Sequence, residues 1–588
     1  MSNRIGDSRP SQIITTFGPG AIIDAKKDCV TITDINYWSD SGYKINDSRF
    51  ASYIGVDHFR VAPTGDQYTS EDIPVVPFPD IHICSSLKCS KIFRLSEHMS
   101  DEKYKASYLK FGARCPYCGA SSYPSRFVRV CSNGHLDDFD YTAWVHKGQK
   151  CPGKLKMFTT GYTSSLGDIF VECELCHAKR SLSGITNKEN NETQCNCNGN
   201  HPFRPLFASK KCSSKMIVLQ RGASNVYFPV IKSAISIPPY IDKLYVMIED
   251  KKRELETYRG IAPILSPKTP EQVLYEKYFS HDYSYDELAK ALKNIETGVK
   301  DYLSIKESEY KAIMNHNDPV NKKSPLIFNA EESEVPKVLD PYFSRIIRIN
   351  RLREIMCLKG FTRLDAPDPD AENQINIVPL NNKDGWLPGV EIHGEGVFIE
   401  FNKNMIEKWL NTPSVLKLDK LVSNAFKDYC ISRGWTVTIS RGALYMLMHT
   451  FSHLLIKEMG DKSGYSSSSI KERIYCSDTM HAILLYTGSS DKEGSLGGLV
   501  ELGKTNKLHN LIKSAFEEAL ICTNDPECMY EDLNSNLNMS ACHACCMISE
   551  TACENGNRLL NRQLVVPISD KEELAYFKDL VKEMCEIE

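Results

Sequence analysis

The sequence predicts a multidomain, mixed α/β protein. It has a β-rich N-terminal part, a zinc-ribbon module, a helical middle segment and an α/β C-terminal domain with a zinc-binding tail. Three observations lead there. A chain of 588 residues is too long for one core and implies several domains. Half of its 22 cysteines crowd between Cys84 and Cys212. The apolar pattern changes along the chain, from short β-prone runs to helical spacing to strands and helices intermixed. Hydrophobic content of 41% with 25% charged residues is that of an ordinary soluble globular protein. The opening MSNRIGDSRPSQII has no apolar signal core, and the most apolar run, GALYMLMHTFSHLLI, is too short and too polar to span a bilayer. The expected location is cytoplasmic, with no membrane partner. In that reducing compartment, clustered cysteines read as metal ligands and not as disulfides.

Residues 1–80 form the β-rich region. Val30–Thr33 and Ile73–Phe78 are short β-prone runs among turn signals. Within it, Gly18-Pro19-Gly20 makes a tight turn between two apolar runs and reads as a rigid hairpin corner.

Residues 81–221 form the ribbon module. Cys84 and Cys89 are answered by the knuckle Cys115-Pro-Tyr-Cys118-Gly, and Cys173 and Cys176 by Cys195 or Cys197 and then Cys212. Paired thiols answered after a hairpin-sized gap are the spacing of zinc ribbons. The ligand sets expected are Cys84, Cys89, Cys115 and Cys118, and Cys173, Cys176, Cys195 and Cys212, with Cys197 an alternative to Cys195. Cys131, His135, His146 and Cys151 fit neither set and leave a further site open. From Cys84 to Arg221 there are 21 Lys and Arg against 11 Asp and Glu, a net +10 in a chain of net -4. A basic module in an acidic protein is the footprint of a nucleic-acid surface. Arg126, Arg129, Lys154, Lys156, Lys179, Arg180, Lys210 and Lys211, with aromatics interleaved, are the candidate contacts to DNA, including single strands.

Residues 222–385 begin extended and then take on helical spacing at Tyr240–Glu256, Pro270–Tyr278, Tyr285–Glu307 and Tyr342–Gly360, with polar linkers at 315–333 and 365–373.

Residues 386–588 read as the α/β domain. Residues 386–401 suggest two strands about a glycine turn, with Glu391, Glu395 and Glu400 as exposed edge charges. A helix near 441–459, a buried strand at Ile483–Tyr486 and a helix near 507–521 follow. Ser469 and Glu472 have the spacing of a capping box at a helix start. In the tail, Cys528, Cys542, Cys545 and Cys553 make a third four-cysteine set, with Cys522 and Cys546 as extras. All-thiolate sites are closed, so about three structural Zn2+ ions are expected.

Two motifs fail on inspection. Gly498–Thr505 fits G-x4-G-K-T, but the intervening Leu-Val-Glu-Leu reads as a strand-like run and not a phosphate loop, so the match is accidental. His449 and His453 stand one helical turn apart, but Thr450 occupies the place of a general-base glutamate, and ordinary core histidines are expected. No complete ATPase, nuclease or hydrolase motif set is present.

Eight stretches together resemble the DrmB family of DISARM anti-phage defence systems: R-P-S-Q-I-I-T-T-F-G-P-G-A-I-I-D (9–24), C-S-N-G-H-L-D-D-F, L-Q-R-G-A-S-N-V-Y-F-P (219–229), L-K-G-F-T-R-L, W-L-P-G-V-E-I-H-G-E-G-V-F-I-E-F, H-T-F-S-H-L-L-I, Y-S-S-S-S-I-K-E-R-I-Y and E-G-S-L-G-G-L-V. They run in order across most of the chain, with 240–340 least anchored. The region from about 430 also resembles a cysteine-containing domain at the ends of some superfamily 2 helicases. The resemblance implies a non-catalytic accessory subunit beside a DrmA-like helicase-type ATPase, in a complex that engages DNA. The alternatives are a zinc-stabilised assembly scaffold without DNA contact and a metal-dependent hydrolase built on His449, His453 and nearby carboxylates.

Overall fold

The computed structural model describes residues 4–26, 28–65, 72–161, 163, 165–187, 195–206, 209, 211–236, 247–248, 251, 254, 257, 268–281, 283–286, 288–289, 292, 305–317, 328–367, 376–381, 384–436, 441–489, 497–530 and 532–586. The chain divides into two compact units that interleave along the sequence. One holds Met1–Ser233, Met356–Val390 and Tyr429–Ile439, the other Ala234–Ile355, Glu391–Asp428 and Ser440–Glu588. Most of the expected helices at 240–256 and 285–307 lies outside the described residues.

The first unit is built from small sheets. Its opening apolar run is a helix, Pro10–Thr15, not a strand. Pro10 supplies a fixed φ at the first helical position, and the Gln12 side chain accepts the Arg9 N–H. The Gly18-Pro19-Gly20 corner therefore joins a helix to the strand Ile22–Asp24, which pairs with Cys29–Ile32 and through it with Val75–Pro77. A Cβ on Gly18 would lie 2.4 Å from both Leu358 Cδ2 and Tyr227 Oη, so glycine there permits close packing of protein and not of a ligand. Three further sheets carry the cysteines. The first has the order Ile92–Arg94, Ile81–Cys84, Ser122–Pro124. The second has Leu136–Asp138, Phe127–Val130, Lys215–Gln220, Cys195–Asn196. The third has Leu155–Thr159, Ile169–Cys173, Lys179–Ser181. Each is too short to bury a core of its own size without a covalent or metal staple.

In the second unit the helix Ala443–Ser463 is buried on nearly every face, as its all-round apolar sequence requires. It packs on the strands Ile470–Cys476 and His481–Ser489 and against the helix Thr505–Leu520. Phe343, Phe401, Phe451, Phe516 and Phe577 interlock beside it.

Several expectations change here. Tyr342–Gly360 is not a helix but part of the strand Phe343–Thr362. Its Ile, Leu and Phe recur at helical spacing, yet pairing with the strand Asn329–Ser333 and burial against the sheet core decide its state. Residues 386–401 form one continuous strand, Trp386–Phe401, with no turn. A Cβ on Gly394 would lie 1.6 Å from the Thr487 carbonyl oxygen, so this glycine serves close strand approach. Glu391, Glu395 and Glu400 are not exposed edge charges. Glu391 pairs with Arg353, buried Glu395 accepts the Leu499 N–H at 2.8 Å, and Glu400 accepts the Tyr310 hydroxyl at 2.5 Å. Ser467–Ser469 is a single 3-10 turn leading into the strand Ile470–Cys476, so Glu472 caps no helix. Gly498–Leu502 is a short helix, not strand-like. Lys504 pairs with Glu501, and Thr505 donates to the Glu334 carbonyl, which leaves no phosphate cradle.

Candidate metal centres and the basic surface

Four thiolate-rich clusters lie among the described residues, each with its donor atoms within 4.8 Å of one another. A tetrahedral zinc with Zn–S bonds of about 2.3 Å has S···S edges of about 3.8 Å. That is the test the clusters have to meet.

Cys84, Cys89, Cys115 and Cys118 come together as the spacing implied. Cys84 ends a strand, and Gly119, at φ +74°, lets the knuckle turn back. The Sγ atoms of Cys84 and Cys118 are 3.5 Å apart and those of Cys89 and Cys115 3.7 Å. The Ser86 N–H points at the Cys84 sulfur at 3.4 Å. Burial pushes the Cys84 thiol up to about 12, so a cation is needed to hold it as thiolate.

The second expected set is not what the fold assembles. Cys173 and Cys176 meet His146 and Cys151, while Cys212 meets Cys131, His135 and Cys197. The reason is strand pairing. Lys215–Gln220 pairs with Phe127–Val130, which carries Cys212 to the C-S-N-G-H turn that follows Val130. Cys173 ends a strand of the third sheet, and His146 closes the helix Tyr141–Val145 packed on that sheet. Cys131, His135, His146 and Cys151 thus form no site of their own but supply half of two sites.

In the site at Cys131, the thiol stands 3.3 Å from His135 Nδ1, and Gly199 N–H donates to the Cys197 sulfur. Cys195 is not in this cluster. Its sulfur accepts the Arg129 Nη1–H at 3.1 Å. In the site at His146, Cys151 Sγ lies 3.7 Å from Cys173 Sγ and 3.9 Å from Cys176 Sγ. His146 Nδ1–H donates to the Thr142 carbonyl at 2.8 Å, and its buried Nε2 has no hydrogen-bond partner. That orphaned atom is the one a metal would take. A Cβ on Gly153 would lie 2.3 Å from the Cys173 sulfur, so glycine after Cys151-Pro leaves room for the cluster. Burial opposes ionisation of Cys173, and the N–H groups of Cys176 and Leu175 counter burial in turn, bringing the thiol below its usual range.

The tail cluster is Cys522, Cys528, Cys542 and Cys545, with S···S distances of 3.5, 3.7 and 3.8 Å. Cys522 takes the place expected for Cys553, which lies instead beside His449, its sulfur 3.2 Å from Nε2. Four clusters replace the three expected, and three of them lie in residues 81–221. The donor sets and edge lengths fit structural zinc.

The eight expected DNA contacts divide. Arg129 is half-buried and spent on the fold, donating to the Asp138 carbonyl, Asp137 and Cys195. Arg180 lies 3.5 Å over the Trp144 ring and donates to its carbonyl. Arg126 donates to Gln220, and Lys156 pairs with Glu172. Lys154 lies 4.4 Å over the Tyr117 ring, and Lys179 sits 4.6 Å from Phe170 and 4.7 Å from Phe158. Lys211 is exposed, and Lys210 lies outside the described residues. Sequence reading missed Lys91 and Tyr117. The antiparallel bridge between Lys91 and Lys156 joins the first and third sheets, and it sets Lys91 4.9 Å over the same Tyr117 ring, where its ammonium also pairs with Glu174 at 3.2 Å.

Residues 9–228 match a family described as "Domain of unknown function (DUF8724)", and residues 451–546 match the "MrfA Zn-binding domain". The second match contains Cys522, Cys528, Cys542 and Cys545 and ends before Cys553. A crystal structure of the DUF1998 helicase MrfA bound to DNA aligns over 44% of this chain and 24% of that chain, at 12% identity and a TM-score of 0.19. The DISARM protein DrmB of Bacillus paralicheniformis is 41% identical over 582 residues, 95% of this chain and 100% of that protein. Zinc is accordingly the cofactor of several structural sites, and the chain belongs to the DrmB family of DISARM proteins.

Proposed function

We propose that this chain is a non-catalytic, DNA-contacting subunit of a DISARM anti-phage complex, working beside a DrmA-like helicase-type ATPase. The four cysteine clusters each hold a structural Zn2+. One observation carries the DNA contact: Tyr117, 41% exposed on the first knuckle, has the ammonium groups of both Lys91 and Lys154 over its ring. The exposed ring offers a base a stacking face and Lys154 an adjoining phosphate its counter-charge, while Lys91 is already paired with Glu174 at 3.2 Å. Charge supports the same reading. With zinc bound, one four-cysteine site and two three-cysteine, one-histidine sites carry formal charges of -2, -1 and -1, and the module keeps a net of about +6.

The test is binding of the full-length chain to single-stranded and forked DNA, followed by fluorescence anisotropy from 50 to about 300 mM salt. Lys154→Ala is expected to lower the single-strand salt slope by about 0.7, the value of one phosphate contact. Tyr117→Ala is expected to cost about 1–3 kcal/mol per stacked base. Unchanged affinity and slope in both variants would overturn the reading. A second reading, a protein-docking scaffold, is favoured by Leu87 and Leu175, 93% and 62% exposed on the knuckles of the first and third ribbons. It predicts that Leu87→Ser with Leu175→Ser weakens complex assembly and leaves DNA affinity intact.

A further inference from the structure

We propose that His449, His453, Glu472 and Cys553 form a fifth metal site, fully sealed in the second unit, which takes a divalent ion of zinc chemistry and ties the C-terminal tail to the central helix. The four donor atoms lie within 4.8 Å of one another. His449 and His453 share a face of the helix Ala443–Ser463, one turn apart. Glu472 comes from the strand Ile470–Cys476, and Cys553 from the tail. His449 Nε2 is 3.0 Å from Glu472 Oε1 and 3.2 Å from Cys553 Sγ, and His453 Nε2 is 3.2 Å from the same carboxylate oxygen. Both imidazoles and the Glu472 side chain are completely buried, and Cys553 is 9% exposed.

Proton accounting is what calls for a cation. His449 Nδ1 faces the Leu559 carbonyl at 3.3 Å, and His453 Nδ1 faces the Cys546 carbonyl at 2.9 Å. A carbonyl only accepts, so each Nδ1 carries the proton, and each Nε2 of a neutral ring presents a lone pair. Those lone pairs converge on Glu472. Its Oε1 already accepts the Glu554 N–H at 3.0 Å, and its Oε2 accepts the Ser452 hydroxyl. Cys553 Sγ accepts the N–H groups of Asn555 at 3.3 Å and Asn557 at 3.2 Å. A neutral Cys553 thiol brings one S–H to this group, enough for one of the two imidazole lone pairs, so the ionised carboxylate still faces the other lone pair with no donor between them. Protonating both imidazoles instead would bury two positive charges against one carboxylate.

The sulfur repeats a pattern found at the other clusters. The N–H two residues after the cysteine points at Sγ at Cys84, Cys197 and Cys522, and it does so at Cys553. Two neutral imidazoles, one carboxylate and one thiolate also balance a dication to zero. A neutral cluster is what complete burial favours, whereas a four-thiolate site keeps -2. Carbonyls that orient both histidines and N–H groups that hold the thiolate are the outer partners that fix metal ligands in place. With four donors and no solvent access, no position is left open for a substrate, so the site is structural and not hydrolytic.

Native mass spectrometry of the full-length chain, purified without chelator, tests this. Five metal ions per chain are expected, falling to four in Cys553→Ser and in His453→Gln, with circular dichroism reporting whether each variant is folded. Crystals of the unmodified chain, measured across the zinc absorption edge, provide a reading that no variant can spoil. An anomalous peak enclosed by the four side chains supports the site. A wild-type chain with four ions, or an anomalous map with no peak there, overturns it.

Discussion

Cys195 and Cys197 are separated by one residue, and their contrasting surroundings make a sharp prediction. Cys197 is 6% exposed and sits with Cys131, His135 and Cys212. Cys195 lies outside that donor set and receives an arginine N–H instead. A structural zinc site contributes about 10–16 kcal/mol over four ligands, so one ligand is worth about 3 kcal/mol, or about a hundredfold in metal affinity. In Cys197→Ser the second site should therefore release its zinc at about a hundredfold lower concentration of a chromophoric chelator, while Cys195→Ser releases all its zinc as the unmodified chain does. The measurement is a competition titration on the full-length chain, counting equivalents freed at each step. If Cys195→Ser frees the early equivalent and Cys197→Ser does not, or if the two behave alike, the ligand assignment fails, and with it the strand register that produced it.

Three further outcomes are expected. Asp138 is buried, and burial, only partly offset by the Ile81 N–H and Arg94, pushes its carboxyl up to about 6 from 3.8. Between those values the unfolded chain is ionised while the folded one holds its proton, so stability is full below about pH 4 and falls as pH rises to about 6, by at most about 3 kcal/mol. Asp138→Asn should abolish that slope in thermal melts at pH 5 and pH 8, and an identical pH profile would refute the assignment. Gly394→Ala, forced against the Thr487 backbone, should cost more than about 3 kcal/mol in chemical denaturation, whereas Gly464→Ala, at φ +78° with open space around it, should cost about 1 kcal/mol. Chelation should raise amide hydrogen exchange across residues 81–221 and around Cys522–Cys545 while the strand His481–Ser489 stays protected, because the small sheets depend on their metal and that strand has its own core.

Much of the candidate chemistry is local and was therefore legible. Cys84, Cys89, Cys115 and Cys118 lie at knuckle spacings, and a knuckle forms from adjacent residues whatever the rest of the chain does. The helix Ala443–Ser463, the strand His481–Ser489 and the helix Thr505–Leu520 follow apolar patterns close to the ranges read from them. The lysine excess of residues 81–221 is visible by counting, but not which cations are free. Arg129 and Arg180 were reasonable contacts until pairing folded them against Asp137 and Trp144.

By itself the sequence determined the number and kind of ligands available, the basic character of the module and the family. Only the tertiary structure decided which ligand meets which. Cys212 finds Cys131 because Lys215–Gln220 pairs with Phe127–Val130, a contact about 90 residues apart, and Glu472 finds two histidines because a strand, a helix and a tail pack together. Cysteine spacing is information about neighbours in the chain. Strand register is free energy gathered over a whole sheet, and no short window of sequence contains it.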